Sequence, residues 1–218
     1  MCFSPEASFV GGIVISTIGM ATLKKVHKPS QILFASIPMF FAVQQITEGF
    51  LWVALQHSDY GNAQQVMTQM YLIMARVLWP TLMPLSVLLM ETNHKRKKIL
   101  LTLLVMGVAV SLYYAFCLVS LNANAQIMGY HIHYETDFPK SVATAVFVIY
   151  FIAAVAPLFV SSIKRMRLLG VLMFLSSIIT AIFFTEFLTS VWCFFAALIS
   201  VVIFWILRDS KRNSLLPN

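Results

Sequence analysis

The sequence predicts an all-α fold, a polytopic membrane bundle of about seven transmembrane helices with the N-terminus outside and the C-terminus in the cytoplasm. Three observations predict it. Of 218 residues 60% are hydrophobic and only 11% charged, with a mean hydropathy of +0.85, more apolar surface than a water-soluble fold can cover. The apolar residues are grouped in runs of about seventeen or more, enough for helices rising about 1.5 Å per residue to cross a hydrocarbon layer about 30 Å thick. The basic residues collect in alternate connections between those runs, as cytoplasmic loops require.

The first span covers about residues 7–23 and ends at Lys24, Lys25, His27, Lys28 and Pro29. Ser8, Gly12 and Ser16 recur along it every four residues, a small-residue stripe for close helix contact. The second covers about 31–56 and the third about 66–90, joined by the polar turn His57 to Asn62. The fourth, about 99–121, follows the basic run Lys95 to Lys98. The fifth covers about 141–162, the sixth about 168–188 and the seventh about 191–207, the last two joined through Thr189 and Ser190 as an antiparallel hairpin. Apart from Arg76 and Lys140, all fifteen Lys and Arg residues fall after spans one, three and five or in the C-terminal tail. The other connections carry Asp59, Glu135, Asp137 and Glu186. This alternation sets the orientation and requires an odd number of spans. The whole of residues 1–218 reads as one integral membrane domain.

The formal charge of +7 does not point to nucleic acid, because the cations lie in short clusters between spans rather than along one face. Lys24 and Lys25 follow the first apolar run, so a cleavable signal peptide is not expected. Three cysteines are too few for a disulfide framework.

Ionisable groups within a span are costly and normally face the bundle or a wet cavity. Glu48 on the second span and Arg76 on the third both lie roughly 12–15 Å below the outer end of their helices, so an ion pair is expected. Gln44, Glu48 and Trp52 share a face at four-residue spacing with Gln45 beside them, and Arg76, Trp79, Pro80 and Met83 form the matching stripe. One reading is a structural ion pair. The other is an outward-facing pocket lined by Gln44, Gln45, Glu48, Trp52, Arg76 and Trp79 that binds or transports a small polar or ionic ligand. Pro80 and Pro84 remove backbone donors and bend the third helix, which serves either packing or ligand space.

A second candidate lies between spans four and five, the longest connection. In Tyr130-His131-Ile132-His133-Tyr134-Glu135 the alternation puts His131, His133 and Glu135 on one side of an extended strand and Tyr130, Ile132 and Tyr134 on the other. Two histidines two apart with a carboxylate can bind Zn or Cu; a solvated lid with aromatics at the membrane interface has the same composition. Cys2 and Cys193 map to the same outer side and extend the metal set to Cys2, His131, His133, Glu135 and Cys193. They can instead form a disulfide, or Cys193 can serve as a small packing residue with Ala196, Ala197 and Ser200. The alternatives to a ligand carrier are thus a metal-binding protein or metal-dependent enzyme at the outer surface, and a structural or sensory subunit. No reaction signature marks the chain as an enzyme.

The opening Met1-Cys2-Phe3-Ser4-Pro5-Glu6-Ala7-Ser8-Phe9, Gln44-Gln45 through Glu48-Gly49 to Trp52, Leu78-Trp79-Pro80 with Pro84, and Ser190-Val191-Trp192-Cys193-Phe194-Phe195-Ala196-Ala197 together resemble an uncharacterised bacterial family of multi-pass membrane proteins, a domain-of-unknown-function group. The resemblance implies residence in a bacterial cytoplasmic (inner) membrane. It brings no known activity, and it singles out Cys2, Glu48, Trp52, Trp79, Trp192 and Cys193 as matching positions. Retinal proteins do not fit, since residues 190–207 contain no lysine.

Overall fold

The computed structural model describes residues 4–183 and 187–214. The protein is mainly helical, and six helical segments are long and apolar enough to cross a membrane: Pro5–Leu23, Gly61–Met90, His94–Ser120, Ser141–Val160, Lys164–Phe183 and Thr189–Arg208. Helix α3, Ile37–Leu55, matches the first of these in length but carries Gln44, Gln45, Thr47 and Glu48 and is not among the six. Those polar residues are all buried inside the bundle.

Helix α1, Pro5–Leu23, starts where Ser4 accepts a hydrogen bond from Ala7 N at 3.2 Å and Pro5 supplies the preset first-turn φ. It packs along α3. The buried stripe is Ser8, Gly12, Ile15, Gly19 and Thr22, so the expected small-residue contact is present with its register drifting off Ser16. A Cβ on Gly12 would stand 2.6 Å from Ile46, and one on Gly19 2.5 Å from the Met39 sulfur.

The predicted second span is broken. A 3-10 turn at Pro29–Gln31 and the short α2, Ile32–Ala35, precede α3. Pro38 in the first turn of α3 cannot donate to the carbonyl four residues back, so the chain bends at Ser36. The third span begins earlier than expected, as α4, Gly61–Leu72, and runs through a π-helical segment, Ile73–Leu78, into α5, Trp79–Met90. Helix α6, His94–Ser120, takes the basic run into its first turn, because Asn93 accepts from Lys95 N and Arg96 N at 3.0 and 3.2 Å and caps the helix there.

The longest connection departs from an all-α fold: it is an antiparallel hairpin of β1, Ala123–Met128, and β2, His131–Thr136, with Met128 opposite His131. Gly129 at φ +61° makes the first of its two turn residues, a position that costs other residues strain. Helices α7, Lys140–Val160, α8, Lys164–Phe183, α9, Leu188–Ile199, and α10, Val201–Ser214, complete the chain. The expected joint at Thr189 and Ser190 is instead the first turn of α9, and the last span is interrupted at Ser200.

Candidate functional site

The polar face of α3 meets α5 and α9. The Glu48 carboxylate accepts hydrogen bonds from the Ser190 hydroxyl and from Gln45 Nε2 at 3.5 Å. Gln44 Oε1 accepts from Trp79 Nε1 at 3.0 Å, and the Trp79 ring stacks on Phe41 with centroids 4.0 Å apart. Gln44, Gln45 and Glu48 are 0% exposed and Trp52 is 4% exposed. These side chains form a packed polar seam, not the lining of an open pocket.

Arg76 does not join them, and the expected Glu48–Arg76 ion pair is absent among the described residues. Its guanidinium lies over the rings of Phe138 and Tyr114, 5.0 and 5.6 Å from their centroids. The reason is the π-helical segment that contains it. An α-helix would align residues 76, 79, 80 and 83; a π turn holds about one extra residue, which rotates the following face by roughly 100°. Trp79 therefore reaches α3 while Arg76 turns towards α6.

The irregular segment has a chemical cause. In an α register the donor for the Arg76 carbonyl is residue 80, and in a π register residue 80 is the donor for the Ala75 carbonyl; Pro80 has no N–H for either. A neighbouring helix supplies a donor, as helices with prolines often require: the Tyr150 hydroxyl donates to Ala75 O at 2.8 Å. Nearby the Ser111 hydroxyl donates to Val77 O at 2.6 Å. Pro84 likewise deprives the Pro80 carbonyl, and α6 approaches it through Gly107, where a Cβ would overlap that oxygen.

Arg76 opens onto a cavity of about 300 Å³, walled by Tyr114 of α6, Tyr134 of β2, Ala143, Phe147 and Tyr150 of α7, Phe187, and Thr189, Trp192 and Cys193 of α9. At about 30 Å³ each it would hold roughly ten waters. Among the described residues, the titratable side chains acting on Arg76 are Tyr114, Tyr150, Cys117 and Cys193, phenols and thiols rather than carboxylates. Two cation–π contacts contribute about 0.5–2 kcal/mol each, against several kcal/mol for removing an ion from water. A second, apolar void of about 30 Å³, bounded by Phe41, Trp79 and Met83, lies across Tyr150, Trp192 and Cys193.

Of the six residues expected to line one pocket, only Arg76 lines the larger cavity; Trp79 faces the smaller void, and Gln44, Gln45, Glu48 and Trp52 stand in the seam. The expected alternation of the strand is present: Ile132 and Tyr134 are buried, and Tyr134 stacks on Tyr71 at 4.7 Å. The rings of His131 and His133 flank Phe187 at 4.5 and 6.3 Å, and Glu135 is exposed opposite Asn124. Cys193 is a buried free thiol, whereas Cys2 lies outside the described residues. Among the described residues no three His, Cys, Asp or Glu side chains gather where a metal ion could be held. Tyr114, Tyr134, Tyr150 and Phe187 are not singled out by the sequence as cavity residues; they come from separate parts of the chain and share no local signal beyond being aromatic.

No curated protein and no solved structure matches the chain. A family model matches residues 1–216, and the chain belongs to that family of unknown function, DUF6629.

Proposed function

We propose that this is an integral membrane protein, N-terminus outside and C-terminus in the cytoplasm, that binds or transports a small polar or ionic ligand in the Arg76 cavity, reached from the outer face. The observation that carries the reading is a guanidinium without a carboxylate partner among the described residues, standing in a cavity of about 300 Å³. An intramembrane cation in such a position is a ligand contact by default.

The orientation follows from charge. Lys25 lies over Phe204, Arg96 donates to Val160 O, and Glu91 binds Ser162, so the basic connections share one end of the bundle. That end is cytoplasmic by the positive-inside rule. Tyr134 of the hairpin and Phe187 wall the cavity towards the other end, which makes the outer face its entrance. With α3 counted, the spans number seven and the two termini are on opposite sides.

The test is a thermal-shift screen of small polar and ionic solutes on the detergent-purified protein and on an Ala143→Trp variant that fills the cavity. Solutes that bind there raise the melting temperature of the parent and not of the variant. If every stabilising solute acts equally on both proteins, the cavity is not the binding site.

A further inference from the structure

The Arg76 cavity is chemically lopsided. Among the described residues its charged side chain is one cation, and the first turn of α9, with Thr189 at the wall, adds the positive end of a helix dipole. The rest of the wall is mostly ring: Tyr114, Phe147, Tyr150 and Trp192. Building on the ligand-binding reading above, we infer that the site selects a compact organic monoanion, a carboxylate on a flat aromatic or similarly apolar body.

Each part of that ligand answers a feature of the site. The planar guanidinium matches a carboxylate through two parallel hydrogen bonds, a geometry lysine could not offer. Arg76 lies over the rings of Phe138 and Tyr114, contacts that take up no hydrogen-bond acceptor, so they do not consume its donors. The aromatic walls favour a ring placed edge-to-face or offset against them. The cavity has room for about ten water-sized units, which suits a benzoate-sized molecule and excludes a long acyl chain.

Other ligand classes fit less well. An organic cation would face Arg76 with the same sign of charge. Inorganic phosphate carries more negative charge than one guanidinium neutralises, and it has no apolar body to set against the rings. A neutral aromatic amide has the body and one carbonyl acceptor but neither the charge nor the second oxygen that the guanidinium fork matches.

The experiment uses the full chain in detergent and four probes: benzoate, benzamide and benzylammonium, which are of similar size, and inorganic phosphate. Binding is read from the melting temperature and from quenching of tryptophan fluorescence. Benzoate binds about tenfold or more tighter than benzamide, the scale of one charge-assisted contact, and benzylammonium and phosphate are weaker still. In Arg76→Gln the benzoate preference over benzamide disappears. Should that variant fail to fold, Arg76→Lys keeps the charge without the planar fork, and its benzoate preference falls while folding is retained.

Equal affinity for benzoate and benzamide in the parent protein, or preference for benzylammonium, overturns the anion inference and leaves the cavity standing as a binding site. Benzoate binding that survives Arg76→Gln unchanged overturns it as well. If none of the four probes binds, the inference falls, and the binding reading is judged separately by the Ala143→Trp comparison.

Discussion

Glu48 of α3 is hydrogen-bonded to Ser190 of α9, a residue 142 positions further along the chain. That bond fastens the last span to the polar helix at the centre of the bundle. A buried carboxylate that loses a donor exposes its desolvation cost. Ser190→Ala is therefore expected to lower stability by about 1–3 kcal/mol. Thermal unfolding in detergent checks this, and an unchanged melting temperature would remove the bond from the list of fastenings.

The contact between Gly107 and the Pro80 carbonyl makes a sharper prediction. A methyl group at residue 107 has nowhere to go, because the atom it meets is backbone oxygen. Gly107→Ala is expected to separate α6 from α5 and cost about 1–3 kcal/mol or more. Gly61 meets nothing within 4 Å, so Gly61→Ala is the matched control and leaves stability within about 0.5 kcal/mol of the parent. Comparable losses in the two variants would count against the close approach.

Glu91 gives a pH dependence. It is buried between α5 and α6, and its oxygens accept from Thr92 N and Asn93 N at 2.9 Å, and from Ser162 N and the Ser162 hydroxyl at 2.7 Å. Burial pushes its pKa up, yet the hydrogen bonds from Asn93, Ser162 and Thr92 together outweigh it and hold the carboxyl below its ordinary value. A depressed folded-state pKa contributes stability that is present above the unfolded carboxylate value and lost as pH falls through the folded one. Melting temperature should accordingly decline in the acid range below the ordinary carboxylate pKa. Glu91→Gln should flatten that part of the curve; an unaltered slope would assign the acid sensitivity to other groups.

These residues show what local sequence can and cannot convey. Apolar run length announces the spans, and Lys24, Lys95 to Lys98 and Lys164 mark one end of the bundle, because both signals are properties of neighbouring residues. Period-two alternation identifies β2, but β1, Ala-Asn-Ala-Gln-Ile-Met, has no comparable signature and is stabilised by pairing with β2. The polar character of Glu48 and Arg76 is equally plain. Their separation is not, since it depends on a π turn whose Ala75 carbonyl is supplied with a donor by Tyr150 from another helix. The cavity walls come from the π segment, α6, α7, α9 and the hairpin, and no local pattern reports such a convergence.

The same rescue supports a double-mutant test. Tyr150→Phe removes the donor to the Ala75 carbonyl, a loss of about 1–2 kcal/mol. Pro80→Ala restores a backbone N–H at residue 80, which a regular helix pairs with the Arg76 carbonyl while the Trp79 N–H pairs with that of Ala75, so the orphaned carbonyl regains a partner from its own chain. In that background Tyr150→Phe should cost less, and the two changes should couple by about 0.5–1.5 kcal/mol. Strict additivity would mean that Tyr150 stabilises the bundle by packing alone. The coupling also bears on Arg76, because a restored α register turns residue 76 back towards the Trp79 face. Pro80→Ala is then expected to weaken benzoate binding while the protein stays folded, linking the missing proline donor to the position of the cation in the cavity.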